Sequence, residues 1–402
     1  YEDVHDMVNK YHDTTFYLIC SNIKDFKFIN EIFGMEKGNQ VLIKQAKLMA
    51  SNPSERTICA RLMNDRFALC LPREEFDEKR VADSIKELQR EFSGNSFHLH
   101  TYMGVYEIRD RDEAVSIMVD KANIAADTIK NNYDCCVAYY DEHLLEISIE
   151  QRRLLGEFEP ALQKDEFAMY LQPQVNRDGV ASGAEALVRW VHPSRGILTP
   201  YAFIDILENA GLIYKLDLYI WEKAAQKLAE WKEKGYGSYH ISVNISTKDF
   251  YIIDIYETFT GLINKYGIAA SNLHLEITET TLMTDFEKNM NIIHKLQGVG
   301  FRVEIDDFGS GYSSLNMLKD ISADVLKIDM GFLRKSENEV KGQDILESII
   351  ALAGKIGMDV ITEGVETKKQ LDMLTMMGCH EFQGYYFSKP VPVSKFEEKY
   401  LV

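Results

Sequence analysis

Two adjacent carboxylates, Asp306 and Asp307, close an apolar run marked by Phe301, Val303 and Ile305, and Phe308-Gly309-Ser310-Gly311-Tyr312-Ser313-Ser314 follows them. The alternation reads as a buried strand that stops at its charged end. Neighbouring anions there repel each other, and burial adds the cost of stripping their water. A divalent metal held by oxygen ligands is the natural compensation. A solvated Asp-Asp turn would have the same local sequence, so the weight falls on what accompanies the pair.

From about Glu166 onward, short apolar runs recur. Each ends in a charged or amide residue, and each is followed by a segment of helical length. They are 184–190, 240–244, 273–276, 303–306, 325–329, 360–363 and 381–384. Between them lie amphipathic helices expected over 201–210, 216–232, 250–266, 287–298, 344–356 and 368–377. Repeated strand–helix units predict an α/β fold of the (β/α)8 TIM-barrel type. The first strand, 167–171, leads into a hairpin-like turn at Asn176-Arg177-Asp178-Gly179, so one irregular, antiparallel strand is expected. A doubly wound open sheet is the runner-up, but no glycine-rich nucleotide fingerprint follows the first strand.

A barrel brings the C-terminal ends of its strands to one mouth, where active sites lie. The strand-end residues are Glu185, Asn244, Glu276, Asp306, Asp307, Lys327, Asp329, Glu363 and Gln383. Six carboxylates converging there would oppose folding unless cations were present. No His or Cys belongs to the set, which points to Mg²⁺ or Mn²⁺ rather than zinc. The ten histidines show no metal-ligand spacing, and His192, His240 and His380 read as structural. Six carboxylates exceed what one Mg²⁺ takes, so two ions are expected, and a pair about 3.5–4 Å apart suits attack of water on a phosphodiester. Lys327 fits as an electrostatic partner to that attack. A salt bridge to Asp329 would place it equally well.

Glu185-Ala186-Leu187, followed by Val188-Arg189-Trp190, resembles the signature of the EAL-domain cyclic di-GMP phosphodiesterases. Gln172-Pro173, Asn244, Glu276-Ile277-Thr278-Glu279, Asp306-Asp307-Phe308-Gly309, Lys327-Ile328-Asp329, Glu363-Gly364-Val365-Glu366 and Gln383-Gly384-Tyr385 match family motifs in order. The resemblance implies that cyclic di-GMP is hydrolysed to pGpG with two Mg²⁺ or Mn²⁺ ions. Glu185, Asn244, Glu276 and Asp306 would hold one ion. Asp306, Asp307 and Glu363 would hold the other, with Asp329 beside them. Lys327, Glu185, Asp306, Asp307 and Glu363 would carry catalysis, and Gln172, Leu187, Arg189 and Gln383 would meet the substrate. Glu279 would anchor the Asp-Asp-Phe-Gly loop, and the barrel would form a homodimer. Ser310 stands where the family usually has Thr and keeps the hydroxyl.

Residues 1–141 mix strands and helices as an α/β domain, and 14–141 resemble a GGDEF domain, the fold of diguanylate cyclases. Phe26-Lys27-Phe28-Ile29-Asn30, Gly34, Gly38 and Leu42 align with it. The signature hairpin reads Met63-Asn64-Asp65-Arg66-Phe67, without its glycines and with a cation in place of an acid. Asn22 and Lys24 replace the metal-binding Asp pair, and Ser54-Glu55-Arg56-Thr57 replaces the inhibitory Arg-x-x-Asp motif. The expectation is a degenerate, non-catalytic domain in which Arg66 leaves room for weak GTP binding. A charged helix over 142–165, with Pro160 late in it expected to end or kink its first segment, would link it to the barrel at 166–402. A module that only senses the nucleotide, and a bifunctional cyclase–phosphodiesterase, are the competing readings.

The net charge of −18 across 402 residues argues against a nucleic-acid polymer or an anionic membrane surface as partner. Six cysteines without a C-x-x-C pair suggest thiols in a reducing cytosol. The chain begins at Tyr1 rather than Met, and the expectation is a cytoplasmic fragment of a longer protein, in which any sensor or membrane anchor would lie upstream.

Overall fold

A computed structural model of the chain describes residues 1–24, 26–50, 54–92, 99–132, 135–308, 321–329 and 339–401. The chain divides into two compact units, Tyr1–Arg153 and Leu154–Val402.

The first unit is built on a five-stranded sheet. Its strands are β1 (Phe16–Ile23), β2 (Ile58–Arg61), β3 (Phe67–Pro72), β4 (Thr101–Glu107) and β5 (Val137–Tyr139), in the order β2-β3-β1-β4-β5. Only the β4–β5 pair is parallel. Side chains alternate across a strand, and β1 uses both faces. Tyr17, Ile19 and Ile23 enter one apolar cluster, while Phe16, Leu18 and Cys20 enter another. Strand β1 is therefore central, and the helices Met35–Met49, Glu78–Phe92 and Val115–Thr128 supply the apolar residues that cover the sheet.

In the second unit, β6 (Phe167–Val175), β7 (Ala181–His192), β9 (His240–Ile245), β10 (Leu273–Thr278), β11 (Val303–Phe308), β12 (Val325–Asp329), β13 (Asp359–Glu363) and β14 (Glu381–Phe382) close into a barrel. Two short strands, β8 (Gly196–Leu198) and β15 (Val391–Pro392), pair outside the ring with β7 and β6. Strand β6 runs antiparallel to β7 and β14, whereas every other neighbour in the ring is parallel. The hairpin turn at Asn176–Gly179 sets this orientation. The Asn176 side chain accepts from the Asp178 and Val180 amides, and Gly179 takes φ 81°.

Two sequence expectations need revision. Helix Glu142–Gln163 runs unbroken through Pro160, rather than ending or kinking there. The proline removes the N–H that would reach the Gly156 carbonyl, but only the last turn follows it, and Phe158 and Ala161 on either side of it are buried in the barrel core. The helix expected over 250–266 is two, Asp249–Ile252 and Ile255–Tyr266. Asp254 caps the second by accepting from the Glu257 amide, and an Asp cap favours a new start over continuation.

The helix Glu142–Gln163 has two characters. Ile147 and Ile149 are exposed, whereas Phe158 is fully buried and meets Phe167 edge-on, with ring centroids 5.7 Å apart. Phe158→Ala should therefore cost the barrel about 3–5 kcal/mol, and Ile149→Ala no more than about 0.5 kcal/mol. The three tryptophans, Trp190, Trp221 and Trp231, all lie in the barrel unit. Urea unfolding followed by their fluorescence measures both variants.

Candidate functional site

The barrel interior is polar along much of its length. Strand β10 shows why: Leu273, Leu275 and Ile277 belong to the apolar cluster, while His274 and Glu276 alternate with them and are buried as well. Strands β9, β11 and β12 repeat the pattern with Ser242, Glu304 and Lys327, each at 0% exposure.

Lys327 is the centre of the site. Its Nζ lies 2.9 Å from Glu276, 2.5 Å from Glu363, and 3.5 Å from both Glu185 and Asp306. Four strands, β7, β10, β11 and β13, each bring one carboxylate to the ammonium on β12. Burial alone would pull the lysine pKa down, but the carboxylates of Asp306, Glu185, Glu276 and Glu363 hold it well above the usual value. Lys327 is therefore a fixed cation.

One positive charge does not balance four negative ones. Burial, and then the neighbouring Glu185, push the Glu276 carboxyl well above its ordinary range, against the pull of Lys327. Burial raises Glu363 to about 8, with Lys327 opposing and Asp306 adding to the rise. Glu276 is fully buried, and its carboxylate meets the Lys327 ammonium through Oε2 alone, with no hydrogen-bond partner on Oε1. Buried carboxylate oxygens without donors, set among further carboxylates, suit hard divalent cations. The donor set therefore fits the oxygen-ligated ions expected from the sequence.

The amides complete the wall. Asn244 donates to Glu185 at 3.1 Å. Gln383 donates both to Glu185 and, at 3.3 Å, to Gln172, which itself donates to the Ser388 carbonyl. Trp221 Nε1 holds the Asn244 carbonyl at 2.9 Å and so fixes the end of β9. Gly384 allows Gln383 its place, because a Cβ there would stand 2.2 Å from the Val365 carbonyl oxygen.

Asp307 has φ 56°, and the β11–β12 register shifts between Ile305 and Phe308. In a regular strand Asp306 and Asp307 would face opposite sides. The bulge at a left-handed Asp breaks that alternation. Partial desolvation, then the Asp306 and Asp329 carboxylates, push the Asp307 carboxyl up.

Thus Glu185, Asn244, Glu276, Asp306, Lys327, Glu363, Gln383 and Gln172 come together, with Asp307 and Asp329 at their strand ends. Leu187 and Arg189 continue the Glu185 face of β7, and the Arg189 guanidinium lies 5.6 Å from the Tyr170 ring centroid. Glu279 opens the helix Glu279–Thr284 and is half-buried. Its expected anchoring partner runs over 307–314, of which 309–314 lie outside the described residues.

Sequence reading passed over a second group. His240, His274 and Glu304 converge at the other end of the barrel, all three buried or nearly so. Their spacing along the chain gives no signal, since each comes from a different strand. His192, by contrast, is held by Glu157 at 2.9 Å and accepts from the Ser194 and Arg195 amides.

In the first unit, Asn64 takes φ 52° at the hairpin tip, a conformation that Asn tolerates better than most residues. Asn22 donates to the Tyr102 hydroxyl at 3.0 Å, and Asp65 accepts from the Ile23 amide at 3.2 Å.

Comparison with known proteins gives two family matches, the EAL domain over residues 156–390 and "Diguanylate cyclase, GGDEF domain" over 3–134. The bifunctional diguanylate cyclase/cyclic di-GMP phosphodiesterase MucR of Pseudomonas aeruginosa is 30% identical, over 95% of this chain and 57% of its own length. The cyclic di-GMP phosphodiesterase NbdA of the same organism is 28% identical, over 94% of this chain and 49% of its own. Among solved structures, the PaMucR phosphodiesterase in complex with c-di-GMP is 33% identical, with a TM-score of 0.58, covering 61% of this chain and 99% of that one. The chain spans roughly half the length of the curated relatives it matches. No helix among the described residues is long and apolar enough to cross a membrane. With the EAL match taking in more than half of its residues and the GGDEF match running ahead of it, the chain belongs to the EAL-domain family and carries a GGDEF domain in front of its barrel.

Proposed function

We propose that the barrel hydrolyses cyclic di-GMP to linear pGpG with Mg²⁺ or Mn²⁺, and that the GGDEF domain is non-catalytic and serves a regulatory or structural role. The observation that carries this reading is the fully buried Lys327 ammonium enclosed by Glu185, Glu276, Asp306 and Glu363, with negative charge left in excess. Cyclic di-GMP phosphodiesterases among the relatives give the substrate class.

Glu185, Asn244, Glu276 and Asp306 would hold one divalent ion, and Asp306, Asp307 and Glu363 the other, with Asp329 beside them. Bound ions of this kind supply a nucleophilic water at neutral pH and neutralise phosphate charge. The remaining work falls to the chain. Lys327 keeps its proton, so it acts as a fixed positive charge toward the phosphorus-bound oxygens as negative charge builds on them. Gln383 and Asn244 hold the Glu185 carboxylate in one orientation. Gln172, Leu187 and Arg189 line the wall above Glu185, where Arg189 offers a charge to the second phosphate. Water adds to phosphorus, one P–O3′ bond breaks, and the departing 3′ oxygen takes up a proton. The linear product keeps its 5′ phosphate. A homodimer through the barrel belongs to the same reading.

In the first unit, Asn22 and Lys24 remove the anions that a GTP-bound metal pair needs, and Arg66 replaces an acid. Phosphoryl transfer rests on such positioning and charge neutralisation.

Turnover of cyclic di-GMP should require Mg²⁺ or Mn²⁺, stop with chelator and be poorly supported by Ca²⁺, whose longer bonds suit the site less well. Full turnover after exhaustive chelation, or nucleotide binding without turnover in either metal, would overturn the proposal; the latter would make the barrel a sensor. Glu185→Ala and Asp306→Ala should abolish turnover. Lys327→Ala should lower kcat by about 10²–10³, with KM largely retained.

The same lysine predicts a stability effect. In chelator, Lys327→Met strips the ammonium from four carboxylates and should cost the barrel about 3–5 kcal/mol in urea unfolding. Millimolar Mg²⁺ should restore part of that loss.

Purified Glu185→Ala chain incubated with GTP and Mg²⁺ should yield no cyclic di-GMP by chromatography. Accumulation of the nucleotide would show that the first unit is a cyclase.

A further inference from the structure

We infer that His240, His274 and Glu304 form a second metal site at the N-terminal mouth of the barrel, suited to a zinc-class ion and separate from the carboxylate site at the other mouth. His240 opens β9, His274 is the second residue of β10 and Glu304 the second of β11, so all three lie at the ends of their strands opposite to Asn244, Thr278 and Asp307. Their potential ligand atoms lie within 4.8 Å of one another. Two imidazoles and one carboxylate are a donor set of zinc sites, whereas the upper site offers only oxygen and one amine.

The stronger argument is in how each group is held. His240 Nε2 meets the Gln174 Oε1 at 2.6 Å, which fixes the proton on Nε2 and leaves Nδ1 as a lone-pair donor. His274 Nε2 faces the Ser271 carbonyl at 3.2 Å and turns Nδ1 toward Glu304, 2.6 Å away. Glu304 accepts from Ser242 at 3.1 Å through Oε1, while its buried Oε2 has no hydrogen-bond partner. His240 and Glu304 thus each have one atom tied to an outer partner and another left over, whereas His274 Nδ1 is hydrogen-bonded to Glu304 and would exchange that bond for the ion. Metal-bound histidines are oriented by this kind of outer contact.

The rings are stacked, with centroids 3.8 Å apart and planes 6° from parallel. The backbone of Gly183 covers the other face of His240, since a Cβ there would come within 2.5 Å of the ring. Zn–N and Zn–O bonds of about 2.0–2.2 Å in a tetrahedron need ligand atoms about 3.4 Å apart. Binding therefore draws the three groups together by about an ångström and turns the His274 ring out of the stack. A cavity of about 480 Å³, lined in part by Ser182, Arg302 and Glu381, lies against the three residues and gives an ion its approach. The ion would clamp β9, β10 and β11 at one end while their other ends carry Asn244, Glu276 and Asp306.

The test uses the full, tag-free chain, stripped of metal and then saturated with Mg²⁺ before one equivalent of Zn²⁺ is added. X-ray absorption at the zinc edge should show outer-shell scattering from about two imidazoles, which the histidine-free upper site cannot supply. In competition with a chromophoric chelator, Gln174→Ala should weaken zinc binding by about 10–100-fold, the scale for losing an outer partner. His240→Ala should weaken it further, and Glu185→Ala should leave it unchanged. Tryptophan fluorescence of each variant confirms that the barrel is folded. An all-oxygen zinc shell, unchanged affinity in folded His240→Ala, or loss of affinity in Glu185→Ala would overturn the site. None of these outcomes bears on Mg²⁺-dependent turnover, so this inference and the proposed activity fail separately.

Discussion

The barrel is organised around a buried ammonium that cannot satisfy the anions it faces. Lys327 is fully buried and meets four carboxylates, two of them within 2.9 Å. Removing charges from water is costly, and mutual attraction offsets that cost only where geometry is close and hydrogen bonds are complete. Here they are incomplete, because Glu276 Oε1 is buried without a hydrogen-bond partner. The arrangement persists because the carboxylates sit on separate strands whose positions are set from outside. Trp190, Trp221, Trp231, Phe203 and Phe259 are almost wholly buried and belong to the apolar cluster. The outer shell holds the ring closed while the interior keeps an unbalanced charge.

This separation explains why so much of the site was legible in the sequence. A parallel barrel places every strand end at one mouth, so a list of strand-end residues is also a list of site residues. Asn244, Glu276, Asp306, Lys327, Glu363 and Gln383 followed from that rule, whereas Glu185 lies fifth in the twelve-residue β7 and not at its end, and the hairpin after Phe167–Val175 disclosed the antiparallel strand. What the rule cannot reach is the interior below the mouth. In Leu273-His274-Leu275-Glu276 the polar residues alternate as they would in a strand with one face in water. Here those positions face inward and the apolar ones face the surrounding helices. Alternation alone does not say which side is wet, so nothing in the pattern singled out Ser242, His274 and Glu304.

Other details escaped for local reasons. The left-handed φ at Asp307 has no sequence signal beyond an Asp, which tolerates it, and its consequence is visible only as a register shift against β12. The break at Asp254 was hidden because Phe250, Ile255 and Phe259 keep a helical rhythm across it. Pro160 misled in the opposite direction, since a breaker near a helix end has little left to break. In the first unit, Asn64 takes a left-handed turn conformation that Asn tolerates, as glycine does, and nothing else in the local sequence announces it.

The two ends of the barrel also stand in a definite relation. Glu276 and Glu304 are register partners on β10 and β11, one belonging to the upper group and the other to the lower. His274 lies two residues before Glu276, and Asp306 two residues after Glu304, on the same inward face. A shift of either strand along its axis would move a member of both groups together. Strand position is therefore constrained from both mouths, and a one-residue slip would turn both groups away from the interior at once. The polar interior, unfavourable as packing, makes the alignment of these strands unusually specific.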